Sequence, residues 1–319
     1  LNMKYYFQQN QLAGALSGTS ILPASSNKAD LADYQKISSD HWATTYKNQY
    51  ALPMGYAANQ QILTLKNKTA DPTQYQANWL AALTGNSQDK QLYTAENFDQ
   101  VTFQNINQQT KITGAVLQKK NLLKPGKITL TFTPTTNDAY YFTFGSTVNP
   151  DNATFILNGK TLNQYKTYRN TILVSAADHA KGHQQKLTIQ LSKGSLWLDN
   201  FTLYRLNTPR FQAAINQLKT QPWHLTTHTS RYFKGTITSK HAGQVLNTSI
   251  PYSQGWHATV NGHAVKTYKT IGMFSAVKLP KCNSTVSLAY WPPLLNVGLL
   301  ISGGTFIILL GGWWFSRRH

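Results

Sequence analysis

Cysteine and acidic residues are both scarce in this sequence of 319 residues. The single cysteine, Cys282, excludes an intrachain disulfide. Because many surface proteins also lack disulfides, this scarcity does not by itself place the chain inside a cell. The 11 Asp+Glu residues stand against 30 Lys+Arg residues, which gives a net charge of +19. Such a surplus favours polyanionic partners, but no compact arginine-rich run or known nucleic-acid motif accompanies it. We therefore expect no nucleic-acid partner and favour anionic lipid or a phosphate-rich polymer.

Motifs of catalysis are missing as well. The acidic residues are scattered, and no spacing selects a carboxylate pair for general acid–base chemistry. The sequence has no G-x-S-x-G motif, no glycine-rich phosphate loop and no Cys–His signature. Two histidine pairs, His179 with His183 and His224 with His228, have the i, i+4 spacing of metal ligands on a helix. We count no acidic or cysteine third ligand with either pair. We therefore expect no metal site there, no cofactor and no catalytic residue in this segment.

The N-terminus lacks the basic segment and apolar core of a signal peptide, and the sequence begins at Leu1. We expect either a processed protein or a piece cut from a longer polytopic membrane protein.

One long hydrophobic run is present, at residues 294–315 (LLNVGLLISGGTFIILLGGWWF). As a helix its 22 uncharged residues would extend about 33 Å, enough to cross a hydrocarbon core of about 30 Å. Trp313 and Trp314 lie where an interfacial aromatic belt is expected, and Arg317 and Arg318 follow them. These features predict a transmembrane helix in contact with lipid. The basic end should be cytoplasmic, with the bulk of the chain extracytoplasmic.

The rest of the sequence is typical of a mainly β protein. Between residues 127 and 134, apolar residues alternate with threonine, which is the pattern of a half-buried strand. Short strands at this spacing predict a sandwich or a jelly roll. We predict five segments: an irregular α+β N-terminal segment at 1–95, a jelly-roll-like β-sandwich at 96–207, a connecting helix at 208–222, a second small antiparallel β domain at 223–291, and the transmembrane helix with its cytoplasmic tail at 292–319.

Turn and cap residues mark several of these elements. Asn-Gly pairs at 158–159 and 261–262 predict two hairpins. Asp71 followed by proline starts a predicted helix, and Gly85 is suited to end it. A second helix is predicted after Thr208, with proline at its first turn.

Aromatic residues supply the candidate binding site. Trp42, Tyr46 and Tyr50 lie close together in a polar stretch, and Trp256 lies beside a predicted turn. Exposed aromatic faces stack on sugar rings, so these four residues are candidate carbohydrate contacts. The alternative is that they fill cores, and for Trp256 we favour that structural role. Asp199 opens a strand that is similar to the closing strand of carbohydrate-binding jelly rolls, some of which hold a structural Ca²⁺ there. It is therefore a candidate calcium ligand.

Several phrases together resemble a known family. They are NQYALPMGY at residues 48–56, the predicted helix around 211–218, IPYSQGWHATVNG at 250–262, MFSAVKL at 273–279, and LAYWPP at 288–293 before the terminal hydrophobic run. Their order and spacing cover nearly the whole chain. They resemble the C-terminal extracytoplasmic region of the YfhO family of bacterial membrane proteins, in which an aspartate commonly replaces the asparagine of the 261–262 turn.

The resemblance implies a long polytopic N-terminal part that precedes this segment. It also implies location in a bacterial cell membrane and a glycosyltransferase that uses a polyprenyl-phosphate sugar donor to decorate lipoteichoic acid. In such enzymes the catalytic acid lies in an early extracytoplasmic loop, so no catalytic residue is carried over to this segment. The implied role of the segment is to bind or orient a teichoic-acid-type acceptor. The alternative from another class is a non-catalytic, membrane-tethered carbohydrate-binding or scaffold module.

Overall fold

The computed structural model describes residues 3–9, 33–66, 68–148, 151–162 and 170–318. Part of the N-terminal segment predicted as irregular therefore lies outside the described residues. The chain divides into two compact units, each made of two stretches of sequence. The first unit is Leu1–Leu52 with Lys66–Gln217, and the second is Pro53–Leu65 with Leu218–His319. Both units are mainly antiparallel β, as the alternating patterns predicted.

The strands are numbered along the chain. They are β1 Tyr5–Gln9, β2 Gln35–Ser39, β3 Ala43–Lys47, β4 Gly55–Asn59, β5 Tyr93–Glu96, β6 Gln100–Gln104, β7 Ala115–Gln118, β8 Gly126–Phe132, β9 Tyr140–Phe144, β10 Ala153–Leu157, β11 Lys160–Thr161, β12 Ile172–Ala177, β13 Gln185–Leu191, β14 Ser195–Leu198, β15 Thr202–Leu206, β16 His224–His228, β17 Tyr232–Thr238, β18 Gln244–Pro251, β19 Trp256–Val260, β20 His263–Val265, β21 Thr267–Thr270, β22 Phe274–Lys278 and β23 Asn283–Tyr290. The α-helices are α1 Pro72–Thr84, α2 Thr208–Lys219 and α3 Leu295–Ser316, and Gln60–Leu63 and Ser87–Gln91 are 3₁₀ helices.

The first unit is built on two sheets that share one core. A five-stranded sheet has the order β11-β10-β13-β8-β6, and a four-stranded sheet has the order β12-β9-β15-β5. Ile128 and Leu130 from the first sheet and Phe142 and Leu203 from the second are buried in the same hydrophobic cluster. Apolar and polar residues alternate along β8, which matches one buried and one outer face. The two sheets therefore form a β-sandwich, although this strand order does not establish a jelly roll.

Smaller elements complete the first unit. A three-stranded sheet has the order β1-β3-β2, and β7 pairs with β14. Helix α1 begins after Asp71, whose carboxylate accepts a hydrogen bond from the backbone N–H of Thr73. It ends at Gly85, which has a φ of 77° and whose N–H bonds to the carbonyl of Ala81. Both ends of α1 therefore fall where the sequence predicted them.

The second unit also has two sheets around one core. The five-stranded sheet has the order β16-β17-β23-β19-β20, and the four-stranded sheet has the order β21-β22-β18-β4. Val286 and Leu288 of β23 share a hydrophobic cluster with Leu246 of β18 and Val277 of β22. The Asn-Gly pair at 261–262 joins β19 to β20, which confirms the predicted hairpin.

One strand of the second unit differs from the prediction. Residues 55–59 lie within the N-terminal segment predicted for 1–95, but β4 pairs with β18 in the second unit. The N–H of Trp223 donates to the carbonyl of Gly55, and a Cβ at Gly55 would lie 2.9 Å from atoms of Leu246 and Trp223. Glycine is therefore needed where β4 lies against this core. The short sequence GYAAN has no alternation that would have indicated such a distant partner.

Helix α3 confirms the predicted apolar helix near the C-terminus. It is 22 residues long and carries no buried residue within the structure. Arg317 and Arg318 lie over the rings of Trp313 and Trp314 at 4.1 and 3.7 Å. By length and composition α3 is able to cross a membrane.

Candidate functional site

A cleft of about 250 Å³ on the first unit is lined by four tyrosines, and we call it the tyrosine cleft. The other lining residues carry amide, hydroxyl and aliphatic groups and one carboxylate. Its lining residues are Asp33, Tyr34, Asn48, Tyr50, Gln76, Leu92, Tyr93, Tyr141, Leu206, Thr208 and Phe211. None of the described residues that line it is lysine or arginine.

Strand alternation places two of the tyrosines. In β9, Tyr140 and Phe142 are buried and Tyr141 between them is half-buried on the outer face of the four-stranded sheet. The ring of Tyr93 from β5 lies edge-on to that of Tyr141, with centroids 6.3 Å apart. Helix α1 contacts the same face, because the Tyr93 hydroxyl donates a 2.8 Å hydrogen bond to the amide oxygen of Gln76. This wall of the cleft is thus fixed by regular secondary structure.

Both the ring and the hydroxyl of Tyr50 are held by neighbouring side chains. Its ring packs edge-on against Phe211 of α2 at 5.3 Å between centroids. The side-chain amide of Gln212 donates a 2.7 Å hydrogen bond to the Tyr50 hydroxyl. The Asn48 side chain accepts from the backbone N–H of Tyr50 at 2.9 Å. These contacts fix the aromatic ring before any ligand arrives.

The chemistry of the cleft suits a neutral, hydroxyl-rich ligand. Burial raises the pKa of Tyr93 above its usual value, so its hydroxyl stays neutral. Because this hydroxyl donates to Gln76, its oxygen is left to accept a hydrogen bond from a ligand. Tyrosine rings supply apolar faces, while Asn48, Gln76 and Thr208 supply polar groups of both kinds. Apolar walls with a few fixed polar groups are typical of small-ligand sites.

A carboxylate–imidazole cluster lies in the same unit. The Nδ1 atom of His179 is 3.1 Å from Oδ1 of Asp178, and its Nε2 atom is 3.8 Å from Oδ1 of Asp33. Burial first and the Asp33 carboxylate second raise the pKa of Asp178 to about 6, against the opposing effect of His179. The sequence interpretation counted no acidic third ligand beside His179, and the structure corrects it. Asp178 precedes His179 directly, and Asp33 is brought in from a distant segment.

The structure separates the three aromatic residues predicted near position 46. Tyr50 lines the tyrosine cleft. Tyr46 lies in β3, opposite Tyr6 of β1 and Lys36 of β2. Trp42 is 63% exposed in the turn between β2 and β3, with the ring of His41 edge-on to it at 5.2 Å. Trp42 therefore does present an aromatic surface, but outside the cleft.

The surroundings of Trp256 contradict its candidate role as a sugar contact and agree with the structural role that the sequence favoured. Its side chain is only 9% exposed, and its indole lies against the rings of Phe233 and Tyr290 at 5.8 and 5.0 Å. The indole N–H donates to the carbonyl of Pro251 at 3.1 Å. A ring that is covered in this way offers no face for stacking on a sugar. These contacts favour the structural role.

The residues that the sequence offered as metal ligands, Asp199 and the pair His224 and His228, lie in different surroundings. Asp199 belongs to no group of three potential metal ligands within the described part of the chain. Its backbone carbonyl accepts from the N–H of Gly145, where a Cβ would approach that oxygen to 2.5 Å. His224 and His228 lie on strand β16, where positions four apart are roughly 13 Å apart. These two histidines are therefore too far apart to share a metal ion.

The cleft also contains residues that the sequence analysis missed. No sequence motif marked the lining residues Tyr34, Tyr93 and Tyr141. The general signal was the high tyrosine content of the sequence, 17 residues. Tyr141 was recognisable as the outward position of an alternating strand. Its place in one cleft with Tyr50 depends on contacts between distant segments, which spacing in the sequence does not reveal.

A family model described as "Bacterial membrane protein YfhO" matches residues 1–302 of the chain. The match covers almost the entire sequence. The chain belongs to the YfhO family. This establishes it as part of a bacterial membrane-protein family, in agreement with the apolar helix α3.

A relative from Bacillus subtilis (strain 168), YfhO, is 31% identical to this YfhO-family chain over 159 residues. The aligned region covers 48% of the chain and 17% of the relative. The chain thus spans a small part of the length of the relative that it matches.

Two solved structures with a distant likeness to this YfhO-family chain are of one enzyme. The crystal structure of Ruminococcus gnavus β-glucuronidase is 10% identical, with a TM-score of 0.21, over 55% of this chain and 34% of that chain. The same enzyme in complex with D-glucuronic acid is 10% identical with a TM-score of 0.20, over 53% and 34% of the two chains. Overlaps of this size carry no argument about function.

Proposed function

We propose that this chain is the extracytoplasmic region of a membrane glycosyltransferase-like protein of the cell envelope. In this proposal it binds a teichoic-acid-type acceptor, with the sugar of the glycopolymer in the tyrosine cleft. The observation that carries the proposal is the cleft itself, which combines four tyrosines with amide and hydroxyl groups on a chain of net charge +19. The catalytic part of the enzyme lies outside this segment.

The cleft supports a sugar as the bound group. Sugar rings have apolar faces that pack on aromatic rings, and hydroxyl groups that exchange hydrogen bonds with amides and phenols. Tyr50 and Tyr93 are already held by Gln212 and Gln76, so little side-chain freedom is lost on binding. The absence of lysine and arginine from the described lining residues favours a neutral sugar there rather than a phosphate.

The charge of the chain supports a polyanionic carrier for that sugar. A surplus of 19 positive charges raises the local concentration of a phosphate-rich polymer and speeds its association. The attraction is long-range and is screened by salt. The cleft would therefore set which sugar is recognised, while the surface charge would favour polymers that carry phosphate.

The remaining parts of the proposal concern the whole protein. Family membership and the 17% coverage of the Bacillus subtilis relative support a longer protein, and our proposal assigns the catalytic site to its other parts. Helix α3 would anchor this region in the membrane, with residues before it outside and the Arg317–Arg318 end inside.

Deletion of the full-length gene should abolish glycosylation of the teichoic acid. Unchanged glycosylation in the deletion strain would refute the enzymatic role.

Binding by the cleft is tested with the chain in lipid nanodiscs and sugar-substituted poly(glycerol phosphate). Tyr141→Ala should weaken binding about two- to tenfold, because one aromatic contact contributes about 0.5–1.5 kcal/mol. Trp42→Ala is the matched control, since it removes an exposed aromatic residue outside the cleft. Calorimetry at two salt concentrations should also show weaker binding at the higher one.

Three results would contradict binding of the sugar in the cleft. The first is that Tyr141→Ala binds the polymer as tightly as the parent chain does, and the second is that Trp42→Ala loses more affinity than Tyr141→Ala. The third is that the parent chain binds the unsubstituted polymer as tightly as the sugar-substituted one. Tyr141→Phe keeps the ring and protects the test against misfolding. It should retain most of the binding that Tyr141→Ala loses.

A further inference from the structure

Asp33, Asp178 and His179 form a compact group of potential metal ligands, which we call the DDH cluster. Each residue offers one ligand atom, and the three atoms lie within 4.8 Å of one another. The Nδ1 atom of His179 lies 3.1 Å from Oδ1 of Asp178, and its Nε2 atom lies 3.8 Å from Oδ1 of Asp33. An imidazole gives one nitrogen to a metal ion, and ligands 2.1 Å from a tetrahedral ion lie roughly 3.4 Å apart. The three ligand atoms would therefore close from their separations within 4.8 Å to that distance around the ion.

A buried oxygen atom points to a missing partner in this cluster. The Asp178 side chain is only 1% exposed, and its Oδ1 atom faces His179. Its Oδ2 atom is fully buried and has no hydrogen-bond partner in the described part of the chain. Burial of a carboxylate oxygen without a partner is costly, and carboxylates buried in proteins are normally paired with a cation or coordinate a metal.

We propose that the DDH cluster binds a divalent transition-metal cation of the Zn²⁺ or Mn²⁺ class. Two carboxylates and one imidazole are a mixed oxygen and nitrogen set, which suits these ions better than Ca²⁺, whose ligands are oxygen atoms. Three protein ligands leave room for water or a ligand atom at the metal. The exposed side of His179 and the partly exposed Asp33 allow a metal ion to enter.

The DDH cluster adjoins the tyrosine cleft. Asp33 is shared, because it also lines the tyrosine cleft. Its backbone carbonyl accepts from the side-chain amide of Gln49, next to Tyr50. A bound cation would therefore fix the segment that contributes Asp33 to the cleft wall. The binding of metal does not depend on the proposed glycopolymer role, and it is measured without any polymer.

The test uses the full chain in detergent micelles, stripped of metal with a chelator. Calorimetric titration with Zn²⁺ and with Mn²⁺ should show one site per chain. Asp178→Asn and His179→Gln should each weaken that site by at least about tenfold, the usual lower bound for disturbed metal sites. His183→Gln is the matched control, because this exposed histidine lies four residues away and outside the cluster. It should leave the affinity unchanged.

A second readout is the melting temperature of the chain with and without metal. Zn²⁺ or Mn²⁺ should raise it in the parent chain and in His183→Gln, but not in Asp178→Asn. The proposal is overturned if no saturable binding is found, if His183→Gln lowers the affinity as much as His179→Gln does, or if Ca²⁺ and Mg²⁺ bind more tightly than both transition metals. Asp178→Asn keeps the size of the buried side chain, and far-UV circular dichroism of each variant checks that it has folded. His179→Gln, at a position that is half exposed, gives the second and less disruptive removal of a ligand.

Discussion

At the scale of single residues, aromatic side chains of the same type have opposite environments in this chain. Trp256 is 9% exposed and its N–H is bonded to a carbonyl, whereas Trp42 is 63% exposed in a turn. Both are large aromatics in stretches with turn residues, and composition alone does not distinguish them. The difference arises from alternation, because Trp256, Ala258 and Val260 occupy the buried positions of β19.

Trp256→Ala should destabilise the second unit by about 3–5 kcal/mol, because it removes a buried ring and leaves a cavity. The packing of Phe233 and Tyr290 against the indole would be lost as well. Hydrogen exchange of β19 and β23 amides over a urea series measures the change for this unit. The control Trp42→Ala removes the same side chain from the surface and should change stability by less than about 0.5 kcal/mol. Equal protection in the parent and Trp256→Ala chains would contradict the structural role of Trp256.

At the scale of elements, local signals in the sequence predicted the ends of helices and the hairpin turns. Helix α1 begins at Pro72 and ends at Thr84, between the predicted cap residues Asp71 and Gly85. Asn261 has a φ of 51° and Gly262 a φ of 85°, as a two-residue hairpin turn requires. These features depend on the conformational preferences of a few neighbouring residues, and such preferences can be read from sequence.

Distant pairings were not predicted. Strand β4 joins a sheet whose other strands lie far away in the sequence, and Asp33 meets Asp178 across a similar separation. The residues of β4 are mostly small and buried, so no alternation marks the strand. The tyrosine cleft also assembles from distant elements, which explains why only Tyr50 of its tyrosines was proposed beforehand. Contacts of this kind are fixed by packing of the whole unit.

The hairpin between β19 and β20 gives a prediction for a single turn. A Cβ at Gly262 would meet no atom within 4 Å, so any cost of substitution comes from backbone conformation. Gly262→Val should destabilise the hairpin by about 1–2 kcal/mol, because a left-handed backbone is unfavourable for residues with a Cβ and most so for branched ones. Hydrogen exchange of the β19 and β20 amides measures this loss of stability.

The matched control for this turn is His263→Val. It adds the same side chain one position later, at an exposed site on β20 where extended backbone suits valine. His263→Val should therefore leave protection unchanged or slightly higher. A loss of protection in the control as large as that in Gly262→Val would show that the left-handed conformation is not the cause.

At the scale of the whole molecule, charge and hydrophobicity are separated along the chain. The net charge of +19 belongs mostly to the β-rich part, whereas the 22 residues of α3 contain no charged residue. Two basic residues follow α3 directly and lie over its terminal tryptophans. Positive residues at the end of a membrane helix favour the cytoplasmic side. We therefore propose that the basic end is cytoplasmic and that, with one crossing by α3, the β-rich part lies on the opposite side of the membrane.

The orientation can be tested with the single cysteine. Cys282 is exposed on the second unit, so an impermeant maleimide should label it in intact cells that produce a full-length protein with no other cysteine. A second protein, Cys282→Ser with Arg318→Cys, carries its thiol just after α3 and should be labelled only after the cells are permeabilised. Protease added to protoplasts should likewise cleave within residues 1–291. The reverse labelling pattern would place the β units in the cytoplasm, where they would have no access to a polymer outside the membrane, and the proposed acceptor role would fail with it.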